Sequence, residues 1–480
     1  MIRLSETEIV AATGAELLSS GERAICGEAV IDSRAAGEGT VFVAFAGEHV
    51  DGNAYLVSAA RQGAAAVVAS REVAPDEIAE LASLGCAVLR AAGDDCEEFL
   101  LRLARRVRDA HPEWLVVGVT GSVGKTTTKE MLAAAFGAQR RTHATRGNLN
   151  NLIGLPLTVL SAPDDAEVLV CELGMNHAGE ISRMSTACRP SLACITNVGT
   201  SHIGLLGSRE NIARAKAEIV SGMAPAPGGA PATLALASSG DFAPLIADGF
   251  ARPAGVEVTY VGRSEADAVR CASLELDDEG RASVTLASPD GWSGSVRLPM
   301  PGRAPVDDLL LALALVWRAG LDRDAALAAI ADMPATKMRL DVRRAPSGAR
   351  VIDDSYNAAP ASMAASLDVL ASMACEGRRV AVLGEMGELG DEAARLHGYV
   401  GAYAAAKGLD LLVIVGAELA DQMAEAARTM GLSEDALCRL ATVDDALAVI
   451  GPVLAEGDLV LVKASRAAGL DIFVRGVLDR

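Results

Sequence analysis

Aromatic residues make up only 3% of this 480-residue chain, against 51% for hydrophobic residues as a whole. A core drawn from such a pool is built mainly from Ala, Val and Leu. Nine cysteines are scattered without a single C-x-x-C pair, a pattern of reduced thiols rather than of a disulfide or zinc framework. An excess of basic residues is also lacking. The formal charge is −20, so a nucleic-acid face, which needs clustered Lys and Arg, is not expected. The mean hydropathy of +0.28 raises the question of membrane insertion. The longest apolar run, "LLLALALVW" at residues 309–317, is closed by Asp308 and Arg318 and is too short to span. The first residues, "MIRLSETEIV", carry Glu6 and Glu8 and lack the basic-then-apolar order of a signal peptide. The expected compartment is the cytoplasm.

One more absence bears directly on chemistry. In "WLVVGVTGSVGKTTTKEM", residues 114–131, an apolar strand runs through glycines into a helix, but the strict Walker spacing would need glycine at position 119, which is Val119. What stands there is a shorter G-x-x-G-K-T loop made of Gly121, Ser122, Val123, Gly124, Lys125 and Thr126, followed by Thr127. Such a loop can offer free backbone N–H groups, a lysine for the β/γ-phosphates and a hydroxyl for Mg2+. The bland alternative is a strand-turn-helix junction whose glycines merely permit close packing. Nucleotide binding is preferred because strand, Gly-Lys-Thr and helix start coincide. Binding alone does not name a reaction.

The length allows about three domains, each with its own core. Residues 1–112 hold strand-like runs ("TVFVAF", "AAAVVAS") between Ala-rich helical stretches and read as a small α/β domain. Residues 113–335 open with the P-loop strand, add buried strands in "AEVLVCELG" and "LACITNVG", and contain a surface excursion, "APAPGGAPA". Residues 336–480 start the pattern again with "ARVIDDSY", "RRVAVLGEM", "DLLVIVG" and "DLVLVKAS", as a Rossmann-like domain does.

Downstream of the loop, "EVLVCELG" delivers Glu172 to the C-terminal end of a strand, where open α/β sheets bind ligands and a carboxylate can hold Mg2+. "NVGTSHIG" places His202 just beyond the next strand, although a lone histidine is more often structural. In "IARAKAEIVSGM" a helical wheel puts Ile212, Ala215, Ile219, Val220 and Met223 on one stripe, with Arg214 and Glu218 opposite. Lys216 falls inside the apolar stripe. It either snorkels past the core edge or works in a partly desolvated site as a neutral amine. Helix geometry alone favours snorkelling.

These segments together resemble the ATP-dependent Mur ligases over essentially the whole chain. The resemblance rests on "DSR" at Asp32–Arg34, "TGSVGKTTTKEM", "GNLNNLIGLPLTVL", "ELGMNHAGEI", "ARAKAEI", "DDSYNAAPASM", "LGEMGELGD" with His397, and "VKASR". It implies an α/β chain of three domains: a small N-terminal UDP-binding domain, a central P-loop domain with a mostly parallel sheet, and a C-terminal Rossmann-like domain. In such proteins the short P-loop is the rule. By resemblance, Lys125 meets the ATP phosphates, Thr126 and Glu172 serve Mg2+, His202 helps hold a second Mg2+, and Lys216 is carried as a carbamate. Asp354, Tyr356 and Asn357 would close over the nucleotide, and Arg339 would reach the phosphates. Ser33 and Arg34 resemble part of a UDP-sugar site, and Asn148, Asn150 and Asn151 a substrate channel. The chain departs from the family at Val123, where Asn is usual, at Ala359 and Ala464, and at Asp308, which falls on the family's adenine-side Asn. An ionised Asp cannot donate as an amide does.

The activity implied is peptide-bond formation between the terminal carboxylate of UDP-MurNAc-tripeptide and the amine of D-alanyl-D-alanine, through an acyl phosphate, in peptidoglycan precursor synthesis. ATP and Mg2+ are the expected cofactors, small molecules the expected partners, and a monomer the expected state. Within the family the alternatives are the tripeptide-forming ligase and folylpolyglutamate synthase. Their D-N-P-R, D-Y-A-H-T-P and D-G-A-H-N-P signatures are missing here. From another class, a non-catalytic nucleotide-binding module is disfavoured because Lys125, Glu172, His202 and Lys216 occur together.

Overall fold

The computed structural model describes residues 1–47 and 50–479. Three sheets succeed one another along the chain and share no strand. The first has five strands in the order Glu16–Ser19, Ala87–Arg90, Ala66–Ala69, Val41–Val43, Ala29–Val30, antiparallel only at the first pairing. Two of its helices are started by side chains from their own sequence. Ser5 and Glu8 form a reciprocal capping box ahead of helix Glu6–Thr13, and Asp95 caps helix Cys96–Ala110.

The second sheet has nine strands. From one edge they run Thr142–Ala144, Val168–Glu172, Leu115–Thr120, Leu192–Ile195, Thr233–Ala237 and Glu257–Gly262, all parallel, with Val269–Leu276 also joined in parallel. Two antiparallel strands, Arg281–Ala287 and Ser293–Pro301, complete the other edge. The P-loop strand Leu115–Thr120 is buried along almost its whole length, as a parallel strand covered on both faces must be. Helix Ala304–Arg318 contains the longest apolar run and is buried without a break from Leu309 to Val316, packed on the P-loop helix Lys125–Gly137 and on the sheet. Among the described residues, no helix is long and apolar enough to cross a membrane.

The third sheet runs Asp341–Arg344, Arg350–Asp353, Leu459–Lys463, Arg379–Gly384, Leu411–Val415, Leu437–Leu440, antiparallel only at its first pairing. Three of its parallel strands, Leu459–Lys463, Arg379–Gly384 and Leu411–Val415, are Val- and Leu-rich and almost wholly buried. All three sheets are therefore α/β and mostly parallel, as the sequence leads one to expect. The "APAPGGAPA" segment lies at the surface up to Pro231.

Two details differ from the sequence reading. The stretch holding Lys216 is not one helix: helix Arg209–Ala217 tightens into a 3-10 turn, Glu218–Gly222. The stripe still turns inward, with Ile212, Ala215, Ile219 and Val220 buried. Glu218 is not idle on the far side, since it accepts the N–H groups of Gly179 (2.7 Å) and Ser182 (3.2 Å) at the start of helix Glu180–Cys188.

All three tryptophans of the chain belong to the central part. Trp114 is fully buried with His111 stacked on it at 4.1 Å, and the Arg323 guanidinium stands between Trp292 (4.5 Å) and Trp317 (5.3 Å).

Contacts between the second and third units include the following two. The hairpin tip after Val269–Leu276 accepts the Ala374 N–H at Asp278 O (2.8 Å). The short helix Ile203–Leu206 meets the 3-10 turn Gly390–Glu392, and Ile203 packs against the cores on both sides.

Candidate active site

The P-loop helix begins at Lys125 with no side-chain cap, since its N-cap is Gly124 (φ 88°). The N–H groups of its first turn are therefore free to meet an anion. Glycine is required at two points. A Cβ at Gly121 would stand 1.8 Å from Thr196 Oγ1, and one at Gly124 would stand 2.4 Å from Asp308 Oδ1. The loop is stapled to the segment after the neighbouring strand. Ser122 N–H donates to Asn197 O (3.0 Å), Val123 N–H donates to Asn197 Oδ1 (3.1 Å), and Gly199 N–H donates to Ser122 Oγ (2.9 Å). The Val123 side chain takes no part in this, so the departure from Asn leaves the loop intact.

A cavity of about 660 Å3 opens above the loop. Ser122 through Thr127, Glu172, His202, Asp308, Arg339, Asp354, Tyr356, Asn357 and the three asparagines 148, 150 and 151 all line it. Gly121, Lys216, Ser33 and Arg34 do not line it. Lys125 Nζ folds back on Gly121 O (2.8 Å), and burial pulls its ammonium below the ordinary lysine range, with Glu172 opposing.

Glu172 ends its strand and is 1% exposed. Its Oε1 accepts from Asn150 Nδ2 (2.8 Å) and Thr126 Oγ1 (3.4 Å), while its buried Oε2 has no hydrogen-bond partner. A buried orphan carboxylate oxygen is costly unless something compensates it, and a cation beside the phosphates does so. Among the described residues no group of three or more His, Cys, Asp or Glu forms a ready ligand set. Mg2+ would ask little of the protein beyond the Glu172 carboxylate and the Thr126 hydroxyl, the rest being supplied by phosphate and water. Asn151 Oδ1 accepts the N–H groups of Ile153 (3.2 Å) and Gly154 (2.8 Å), so its side chain also starts the helix Gly154–Leu160.

Arg339 crosses from the linker: Nη2 donates to Thr126 Oγ1 (3.4 Å) and the guanidinium lies over the Tyr356 ring at 4.2 Å. Asp354 is buried, taking Ser366 Oγ (2.6 Å), Leu340 N–H (3.2 Å) and the ammonium of Lys463. His202 Nδ1 stands 2.6 Å from Glu388 Oε2, off the line a hydrogen bond requires. Contact with that ring holds the Glu388 carboxyl below its usual range.

Lys216 is 1% exposed, and among the described residues it has no carboxylate partner. Burial first, and the Lys125 charge second, push its amine well below the ordinary lysine range. Snorkelling does not describe a lysine this enclosed. Asp308 is a correction of another kind. It lies under Gly124, paired with Thr128 Oγ1 (2.9 Å), and burial raises its carboxyl well above the usual range. That direction favours the neutral carboxyl, the form that can donate as an amide does. Ser33 and Arg34 sit in the 3-10 turn Ser33–Ala35 of the first sheet's region, where Arg34 pairs with Asp32 and draws that carboxyl down to about 2. Glu388 and Lys463 reach the cavity although the sequence reading gave them no role; their motifs, "GELGD" and "VKASR", are the only signal that could have found them.

Three family models match in succession: "Mur ligase family, catalytic domain" at residues 29–108, "Mur ligase middle domain" at 119–316, and "Mur ligase, glutamate ligase domain" at 338–466. The UDP-N-acetylmuramoyl-tripeptide–D-alanyl-D-alanine ligase of Bacillus subtilis (strain 168) is 32% identical over 93% of this chain and 92% of its own. The chain belongs to the Mur ligase family. Among solved structures, that of MurF from Acinetobacter baumannii superposes with a TM-score of 0.84 at 29% identity over 100% of both chains. MurF ligase from Thermotoga maritima, in complex with ADP, gives 0.78 at 25% identity over 95% of this chain and 98% of that one. The Mur ligase fold thus extends over all three sheets, and the cavity lies where its middle and last units meet.

Proposed function

We propose that the protein is an ATP-dependent ligase that joins the terminal carboxylate of UDP-MurNAc-tripeptide to the amine of D-alanyl-D-alanine in peptidoglycan precursor synthesis. Residues 1–112 would bind the UDP-sugar, with Ser33 and Arg34 at that site, residues 113–335 the ATP, and residues 336–480 would close over both. The observation that carries this reading is the shared cavity, with a phosphate loop on one wall and Arg339, Asp354, Tyr356 and Asn357 on the other. Its size suits a nucleotide phosphate tail and a reacting carboxylate together.

In the first step a carboxylate oxygen of the tripeptide attacks the γ-phosphorus and the bond to ADP breaks, giving an acyl phosphate. In the second, the amine of D-alanyl-D-alanine adds to the acyl carbon, loses its proton, and expels phosphate. No protein nucleophile is needed. Lys125 turns from Gly121 O to the β/γ-phosphates, the free N–H groups at the helix start hold their oxygens, and Arg339 neutralises charge on the transferring group. Thr126, Glu172, His202 and a carbamylated Lys216 would hold Mg2+, which shields the phosphate charge when bound. Lys216 suits that modification, since CO2 adds only to an unprotonated amine and the product would be a carboxylate-like ligand. Asn148, Asn150 and Asn151 line the side from which the tripeptide would enter. Holding three substrates in register can supply about 7–11 kcal/mol of the barrier in well-oriented cases.

The test pairs UDP-MurNAc-peptides with candidate amines and follows phosphate release. Turnover is expected with D-alanyl-D-alanine. Turnover with meso-diaminopimelate or glutamate but not with D-alanyl-D-alanine would overturn the reading, and ATP binding without any turnover would favour a non-catalytic module.

A further inference from the structure

The "LGEMGELGD" motif and His397 have no part in the chemistry above, yet they build an unusual junction. Six non-glycine residues among those described have left-handed backbone, and four of them, His202, Met338, Leu340 and Glu388, lie where the second and third sheets meet. Left-handed residues of this kind persist only where their surroundings impose them, and they cluster at functional sites. His202 (φ 64°) and Glu388 (φ 62°) face each other across the junction at 2.6 Å. Beside them the Gly204 N–H donates to Glu388 O (3.2 Å). A Cβ at Gly204 would lie 2.4 Å from Gly390 N, and one at Gly390 would lie 2.7 Å from Gly204 Cα. The two backbones touch directly, with no room for a side chain between them.

The Glu388 loop is held from behind. His397 is fully buried; its Nε2 accepts the Met386 N–H (2.8 Å) and its Nδ1 donates to Ala393 O (2.7 Å). Leu389 is buried in the core of the third unit, while Ile203 packs against the cores of both. The carboxylate is thus anchored in one unit and the imidazole in the other.

We propose that Glu388 is a positioning residue: contact of Gly204 with Gly390 brings its carboxylate to His202, so that the histidine takes its place in the cavity only when the two units are together. The proposal rests on the ligase reading, in which His202 belongs to the reacting site. It makes the site's completion conditional on docking of the third unit, which links nucleotide held by the middle unit to the arrival of the other two substrates.

Four variants of the full-length protein test this: Gly204→Ala, Glu388→Gln, His202→Gln, and the last two combined. Gly204 has ordinary helical backbone, so alanine strains nothing except the junction. Thermal denaturation serves as the folding control. For Gly204→Ala, kcat should fall by about 100-fold while the Kd for ADP stays within about twofold, because the phosphate loop is untouched. Glu388→Gln should lower kcat by about tenfold with a smaller change in KM, and should cost nothing further in the His202→Gln background. Parent-like kcat in both Gly204→Ala and Glu388→Gln, or a Glu388→Gln loss that multiplies with that of His202→Gln, would overturn the proposal. If the parent itself shows no turnover, it is the ligase reading that fails. The junction is then judged by X-ray scattering of the ADP-bound protein, where Gly204→Ala should be more extended than the parent and an identical profile would overturn it.

Discussion

On the side of the nine-stranded sheet, the cavity wall is made of element ends. Glu172 closes a strand, Lys125 opens a 13-residue helix, and both are fixed by a ladder or a helix that is itself buried. On the side of the six-stranded sheet the wall is made of reach: Arg339 extends from a linker between two left-handed residues, Tyr356 is half-buried, and Glu388 projects from an exposed turn. The first wall is complete within one unit, whereas the second acquires its meaning only in contact with the first. On the ligase reading the first wall would hold the phosphates, and the second would bring the other substrates to them.

The largest break in this comparison should come from the rigid wall. Lys125→Ala removes a point charge from the β/γ-phosphates and should lower kcat by about 1000-fold or more, with melting temperature unchanged because the ammonium contacts loop carbonyls and not the core. Near-parent turnover at saturating ATP would refute the assignment. Arg339→Ala tests the reaching wall: a loss of about 100-fold in phosphate release is expected, with nucleotide affinity much less affected, since its side chain meets Thr126 by one long hydrogen bond and the Tyr356 face. Lys216→Ala should cost about 10–100-fold, partly restored by a short carboxylic acid. Intact mass or density for an unmodified Lys216, with full activity in CO2-depleted buffer, would contradict the carbamate.

A smaller effect separates support from chemistry. The Asp308 carboxyl binds its proton more tightly when folded than in the unfolded chain, where such a group titrates near pH 3.9. Its stabilising contribution is therefore complete below that pH and is lost as pH rises towards the elevated folded value. Asparagine does not titrate. Asp308→Asn should keep turnover and raise the melting temperature by about 2 °C at pH 8, with the gain shrinking towards pH 4. A gain that grows towards acid would show the carboxyl to be ionised. Smallest of all, Val123→Asn should leave kcat within about twofold, because that residue contributes its backbone to Asn197 and Thr196.

The rigid wall was legible in the sequence and the reaching wall much less so, for a physical reason. A parallel strand buried on both faces writes itself as an unbroken apolar run, and its C-terminal end then locates Glu172 without further information. The Gly-Lys-Thr sequence does the same for the loop. The strands Val269–Leu276 and Arg281–Ala287 left a fainter trace, since one face of each is wet and outward Ser, Thr, Arg and Glu interrupt the pattern. The wheel around Lys216 showed an inward lysine but not how completely it is enclosed. Resemblance alone brought Arg339, Tyr356 and Asn357 to the site. The meeting of His202 with Glu388 had no local signature, because each belongs to a different unit and neither contact is periodic. The upward pull on the Asp308 carboxyl comes from its burial under Gly124, which no spacing in the chain records.

The confinement of Trp114, Trp292 and Trp317 to the central part turns the protein into its own optical instrument. Indole emission reports on one unit alone, the first and third being dark at the same wavelengths. Tyr399, exposed on the third unit, is a place for an acceptor dye, and energy transfer to it from the central tryptophans alone would record the approach of the two units in real time.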